Sequence, residues 1–421
     1  MNVMNTMSAM KVMFDGYEFI DGGVCASKGF KASGVHCGLR KNREKPDLAL
    51  IYSENICNVT AVYTQNKVKG APIYVTMEHI KNGKAQAVIV NSGNANTCNI
   101  DGVEKATMMC KLIADELSIN ETDVVVSSTG IIGEVLPIAP IQKAIPELKL
   151  HLSETGNEQA SQAILTTDTC QKECAVSFEL GGKTCRLGGM AKGSGMIHPN
   201  MATMLCFITT DVFISPKLLK KALTTITNDT FNMISVDGDT STNDMAMIMA
   251  SGKAGNDPIC DENSAEYEIF SKALFCIMVN LSRAIAQDGE GASKLLECTV
   301  SGAIDEKSAK AIAKSVITSS LFKSAMFGQD PNWGRILCAI GYADAEVTID
   351  SVEVILKSTG GEICVCKNGR GVKFLVADAK AVLSDSEIKI LINLEDGTAN
   401  AVAWGCDLTY DYVKINAAYH T

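Results

Sequence analysis

The chain has 421 residues, 46% of them hydrophobic, and a formal net charge of −10 from 38 basic and 48 acidic side chains. That length fits two or three folded units and that composition fills a sizeable core, which excludes a disordered chain. The acidic balance argues against nucleic acid and against an anionic membrane surface, so an anionic substrate has to meet a local cation rather than a global field.

The N-terminus carries Met at 1, 4, 7, 10 and 13 with a single Lys before Phe14. It lacks the basic and apolar regions of a signal peptide and the Arg-rich character of a transit peptide, so residues 1–15 read as a frayed leader. Further along, AVIVNSGNAN (87–96) reads as an apolar strand running into a turn, and GVEKATMMCKLIADEL (102–117) has helical spacing. DVVVSSTGIIG (123–133) is a second strand-and-turn unit, and CAVSFELGGKTCRLGG (174–189) a hairpin about Gly181-Gly182. TMLCFITTDV (203–212) is a buried-looking strand. A helix is expected over 215–235, with Ser215 as N-cap and Pro216 in its first turn, and another over 272–289. The tail reads as alternating strands through NAVAWGCDLTYDYVKI (400–415). This interleaving of strands and helices predicts a mixed α/β fold. No apolar run reaches the ~18 residues of a membrane-crossing helix.

Sixteen Cys without a secretion signal point to cytoplasmic thiols, many of them inside apolar runs such as MLCFI and ILCAI, where Cys acts as a small hydrophobe. The five His (36, 79, 151, 198, 420) show no metal-ligand spacing, so no metal is expected. A GxSxG elbow, a complete P-loop and a complete dinucleotide fingerprint are all absent from the sequence. Any nucleophile therefore needs a base other than His. Thr203 offers one route: cutting the Ala202–Thr203 bond frees an α-amine of ordinary pKa ~7.7–8.0 beside the hydroxyl, and that amine serves as base. Read from spacing alone, Thr203 equally suits an ordinary β-branched residue at a strand start.

The segment KGSGMIHPNMATML (192–205) resembles the processing segment of the ornithine acetyltransferase (glutamate N-acetyltransferase) family of arginine biosynthesis. The blocks GFKASGVHCGLR (29–40), PDLALI (46–51), VNSGNANTC (90–98), SSTGIIGE (127–134), TTDT (166–169), SVDGDTSTNDM (235–245), DGEGASK (288–294), GQDPNWGRI (328–336) and INAAYHT (415–421) resemble the same family in order. The resemblance implies a layered α–β–β–α sandwich of the N-terminal-nucleophile-like type with a smaller α/β portion. It implies self-cleavage into an α chain, 1–202, and a β chain, 203–421, that assemble as α2β2 or larger.

The implied reaction is a ping-pong transfer of acetyl from N-acetylornithine to glutamate through acetyl-Thr203, with acetyl-CoA a further donor in some members and no bound cofactor. By the same resemblance Thr129 and Gly130 form the oxyanion hole. Thr167, Lys192, Thr203, Glu290, Asn416 and Thr421 bind substrate, with Thr169 the alternative to Thr167. The Thr421 role requires the tail strand to fold over the site. Trp333 and Arg335 read as packing residues. Two other functions fit the same residues less fully: a self-processing aminopeptidase-like hydrolase, and an uncleaved amino-acid-binding protein.

Overall fold

The computed structural model describes residues 12–41, 45–198 and 204–418. In chain order its strands are β1 (Tyr17–Phe19), β2 (Phe30–Val35), β3 (Leu48–Tyr63), β4 (Lys84–Asn91), β5 (Val124–Ser128), β6 (Lys172–Leu180), β7 (Lys183–Lys192), β8 (Leu205–Thr210), β9 (Ile234–Ser235) and β10 (Met245–Ala250). They continue with β11 (Leu295–Ala303), β12 (Glu353–Ser358), β13 (Gly361–Lys367), β14 (Arg370–Gly371), β15 (Glu387–Asn393) and β16 (Ala399–Cys406). Two sheets result. One has the order β1-β6-β7-β8-β10-β3-β4-β5 with β2 also paired to β3, and the other β14-β13-β12-β15-β11-β16-β9. This is the expected mixed α/β architecture.

The central strands of the first sheet are buried on both faces, which explains their unbroken apolar sequences. Leu205, Phe207, Met245, Met247 and Met249 enter one core, while Cys206, Ile208, Ala246 and Ile248 enter another on the opposite face. Full burial of a side chain such as Phe207 contributes about 1.5–3 kcal/mol. The sheet also crosses the proposed cleavage junction. β7 pairs with β8 antiparallel, β8 with β10 in parallel, and β10 with β3 antiparallel.

The hairpin forms as expected. Leu180 pairs with Lys183, and Gly181 and Gly182 take φ of +57° and +72°, the pair of left-handed residues a two-residue turn requires. The helix over Gly102–Leu117 has the expected bounds.

Three expectations need correction. The helix begun by Ser215, whose hydroxyl accepts from Leu218 N, covers only Pro216–Asp229. The chain then makes a 3-10 turn and enters β9, where Ile234 and Ser235 pair with Trp404 and Gly405. The tail after Cys406 is not a strand: Tyr410–Ala418 is a helix, and Gly291, where a Cβ would lie 2.5 Å from Tyr412 N, lets its first turn approach. The third concerns the helix expected over 272–289, which instead spans Ala265–Gln287. It is long and apolar enough by composition to cross a membrane, with a mean hydropathy of 1.5. Yet 78% of that stretch is buried, against β6 and β7 of one sheet and β11 and β16 of the other.

That long helix also holds part of the expected leader. The Asn280 side chain donates to Val12 O at 2.8 Å and accepts from Val12 N at 3.1 Å, and Phe14 packs on Phe275. Residues 1–11 lie outside the described residues.

Candidate active site

One cavity of about 130 Å³ is lined by Thr129, Gly130, Thr167, Lys192, Glu290 and Asn416. Six of the sequence-derived positions thus come together from five separate segments. Ala202, Thr203 and Thr421 lie outside the described residues. Met204, which follows Thr203 in the sequence, lines the cavity too. The volume falls below the ~300–1,000 Å³ of drug-sized sites and suits a molecule of amino-acid size.

The Thr-Gly turn follows directly from β5. Thr129 N donates to Asn91 O at 2.9 Å, which ties the turn to the end of β4. Gly130 has φ +125°, and a Cβ there would lie 2.6 Å from Gly93 C and 2.8 Å from Asn94 N. Only glycine fits between these backbones. The side chain of Asn243, just before β10, then locks the assembly, donating to Ala95 O at 2.6 Å and Ser128 O at 2.9 Å. Its Oδ1 accepts from Thr97 and Thr242, each at 2.6 Å.

Gly130→Ala is therefore expected to displace the turn. For the oxyanion role that the family resemblance implies, the expected fall in kcat is about 10²-fold or more, the cost of losing one donor. The strained left-handed backbone would cost a further 1–3 kcal/mol or so of stability. Initial rates and a urea midpoint on the same preparation measure both.

Beneath the cavity lies a buried charge cluster. Lys172, fully buried, donates to Asp168 Oδ1 at 2.7 Å and to Asp288 Oδ2 at 2.5 Å. Burial alone would lower the Lys172 ammonium and raise the Asp168 carboxyl. The mutual attraction wins, so the ammonium is held above and the carboxylate below its ordinary range. The cluster positions the lining: Asp168 also accepts from Gly193 N at 2.7 Å and Thr166 N at 3.0 Å. Asp288 accepts the Thr169 N–H and hydroxyl. This separates Thr167 from Thr169. TTDT is a bent loop, with Thr167 on the cavity and Thr169 turned to Asp288.

Lys192 ends β7 and is buried, 3.9 Å from Asp168 Oδ2. Burial lowers its pKa, Asp168 resists, and Lys172 adds repulsion. A substrate carboxylate would complete its charge balance. Glu290 accepts from Asn416 Nδ2 at 2.8 Å and lies over Gly195, where a Cβ would fall 2.4 Å from its carboxylate.

The loop before the proposed junction is strapped down. Asp237 accepts from Met196 N at 2.6 Å and Ile197 N at 2.9 Å, and the Thr240 hydroxyl donates to His198 O at 2.8 Å. Burial, with Lys314 adding and Asp237 opposing, pushes the His198 imidazole down to about 4. Among the described residues no group of three His, Cys, Asp or Glu is placed to hold a metal ion. Trp333 and Arg335 are remote from the cavity lining: the Trp333 ring packs under Gly371, and Arg335 Nη1 donates to Leu321 O at 2.7 Å.

Sequence reading missed Lys172, Asp168, Asp288, Asn243 and Asp244 as site residues, although all but Lys172 lie inside the motifs quoted above. Their spacing carries no signal: Lys172 and Asp288 are 116 residues apart.

Two sheets with packed helices, and an amino-acid-sized cavity between a glycine-locked turn and a buried lysine, define a mixed α/β protein with a candidate site for a small molecule. The chain belongs to the ArgJ family, whose model matches residues 31–421. It is 50% identical over 405 residues to the arginine biosynthesis bifunctional protein ArgJ of Caldanaerobacter subterraneus subsp. tengcongensis, covering 96% of this chain and 100% of that protein. It is 48% identical to the protein of the same name from Bacillus subtilis over 404 residues, 96% and 97% of the two chains. The crystal structure of the arginine biosynthesis bifunctional protein argJ from Bacillus halodurans is 45% identical over 51% of this chain and 98% of that one, with a TM-score of 0.48.

Proposed function

We propose that the chain transfers acetyl from N-acetylornithine to glutamate, giving ornithine and N-acetylglutamate, through an acetyl group carried on Thr203. The observation that carries this reading is the convergence of Thr129, Gly130, Thr167, Lys192, Glu290 and Asn416 on one cavity that Met204 also lines. In this reading Thr203, freed by cleavage after Ala202, attacks the acetyl carbonyl with its own α-amine as base. Thr129 and Gly130 face the oxyanion that develops, and Lys192 meets the substrate α-carboxylate. Glu290, steadied by Asn416, holds an amino group, and Thr421 takes part in binding substrate.

Membership of a family whose relatives are named bifunctional supports acetyl-CoA as a second acetyl donor, and the reading needs no bound cofactor. The α chain, 1–202, and the β chain, 203–421, stay together because β7 and β8 share a sheet, and two such pairs form α2β2. Sixteen free cysteines support a reducing, cytoplasmic setting.

The test supplies N-acetylornithine with and without glutamate and follows ornithine and N-acetylglutamate. Ornithine release in steady state that requires glutamate supports the transferase. Release to water at the same rate without glutamate marks a hydrolase and overturns it.

A further inference from the structure

The cavity contains a carboxyl that the reaction described above does not use. Asp244 lies at the start of β10 and is 3% exposed. Its backbone is fixed beside the start of β8: Met245 N donates to Met204 O at 3.0 Å, and Thr64 N donates to Asp244 O at 3.0 Å. Its side chain lines the same cavity as Thr129, Gly130 and Lys192. Oδ2 is buried and has no hydrogen-bond partner among the described residues. The other carboxyls of the site are engaged, Asp168 by Lys172, Thr166 N and Gly193 N, and Glu290 by Asn416. A buried oxygen without a partner carries its desolvation cost uncompensated, so a group held this way needs an occupant or a proton.

Resting on the acetyl-transfer reading, we propose that Asp244 carries a proton between the two half-reactions, giving it to the departing ornithine nitrogen and regaining it from the incoming glutamate ammonium. Burial raises this carboxyl well above its ordinary range, with Ser241 and Lys192 pulling the other way, which favours the protonated form that the proposal assigns to the resting enzyme.

The proton count closes. In the first half-reaction the bond from Thr203 Oγ to the acetyl carbon forms and the amide C–N bond breaks. The hydroxyl proton passes through the Thr203 α-amine to the leaving nitrogen, giving a neutral amine. Asp244 then protonates that amine, and ornithine departs as an ammonium, leaving a carboxylate beside Lys192. In the second half-reaction the glutamate α-ammonium gives its proton to Asp244. The neutral amine attacks the ester carbon, the C–Oγ bond breaks, and the surplus proton on nitrogen returns through the Thr203 α-amine to Oγ. Asp244 ends as the acid with which it began. The role follows from a general requirement: the acceptor enters as an ammonium and can attack only after losing a proton.

The test is Asp244→Asn, which keeps shape and removes the proton carrier. Intact mass first shows whether the variant has been cut after Ala202. For the cleaved variant, deacetylation of acetyl-Thr203 by glutamate at pH 7 is expected to fall about 10²–10⁴-fold, the usual worth of a placed acid–base group, with KM changed only a few-fold. The loss should shrink as pH rises. It should also shrink when hydroxylamine, neutral at pH 7, replaces glutamate, a rescue that a purely structural defect would not show. Deacetylation by glutamate within about threefold of wild type, or no relative gain with hydroxylamine, overturns the role.

If the variant is not cleaved, wild-type enzyme carrying 13C-labelled aspartate answers the same question by infrared spectroscopy. A protonated carboxyl band in the free enzyme should bleach during the burst of ornithine formation, before solvent or glutamate resupplies the proton, and a band that never bleaches overturns the proposal. A wild-type enzyme that takes up no acetyl contradicts the acetyl-transfer reading itself. An acetylated wild type beside an unimpaired Asp244→Asn contradicts the role of Asp244 alone.

Discussion

Thr203→Ala is expected to accumulate as one uncut 44.8 kDa chain and to lose acetyl transfer by a factor on the order of 10⁴–10⁶. Both losses have one cause. Without the hydroxyl, the Ala202 carbonyl has no internal attacker, so the peptide bond persists and the α-amine is never released. Without that amine the site keeps the Thr129-Gly130 turn and Lys192 but has neither nucleophile nor base. Residual catalysis from such a site comes from binding and oxyanion stabilisation alone. Thr203→Ser keeps the hydroxyl and should be cut, so the pair of variants separates missing chemistry from damaged folding. The check is denaturing gel mobility and initial rate on the same samples. A Thr203→Ala protein that is cut at the same bond would remove the role given to this residue.

The second large effect falls outside the cavity. Lys172→Met is expected to destabilise the fold by about 3–5 kcal/mol, because it leaves Asp168 and Asp288 buried without their cation. The sign of the pH response follows from the two shifts. The Asp168 carboxyl is depressed in the folded protein, so its contribution is fully present above its ordinary value near ~4 and is lost as pH falls below that. The Lys172 ammonium is raised, so its contribution is present below the ordinary ~10.4 and is lost only as pH rises through the higher folded value. Wild type should therefore keep the cluster's contribution from about pH 5 to about pH 10. In Lys172→Met the buried Asp168 carboxylate loses the cation that holds its pKa down, its affinity for protons rises, and stability should increase as pH drops from 7 towards 5. Urea unfolding at several pH values reads this directly. A variant with the same pH response as wild type would show that the cluster is not the charge-balanced unit described. Because Asp168 and Asp288 hold Gly193, Thr166 and Thr169, the variant should also raise KM more than it lowers kcat.

Local elements were legible where one signal dominated. The helix Gly102–Leu117 combines unbroken apolar spacing with an interior free of Gly and Pro, and the Gly181-Gly182 pair marks its turn through backbone freedom alone. The tail misled because Thr409, Tyr410, Tyr412, Val413 and Ile415 are strand-favouring types, yet none of the described residues of the Tyr410–Ala418 helix is buried. Its conformation is set by docking on Gly291, a tertiary contact invisible in local spacing. Six of the cavity-lining positions could be named from the family resemblance of the motifs. Their support could not: nothing in the sequence tells a solvated Lys172 from one buried between two aspartates, or marks Asn243 as the amide that fastens two loops. Long charged side chains are mostly exposed, so the buried cluster ran against the prior.

The most direct measurement is the intact mass of purified wild-type protein, alone and after brief exposure to N-acetylornithine without glutamate. The account predicts two fragments meeting at Ala202/Thr203, and one added acetyl on the fragment that begins with Thr203, removed when glutamate is supplied. A chain that stays whole at 44.8 kDa under folding conditions, or cut fragments that never gain an acetyl, would contradict it.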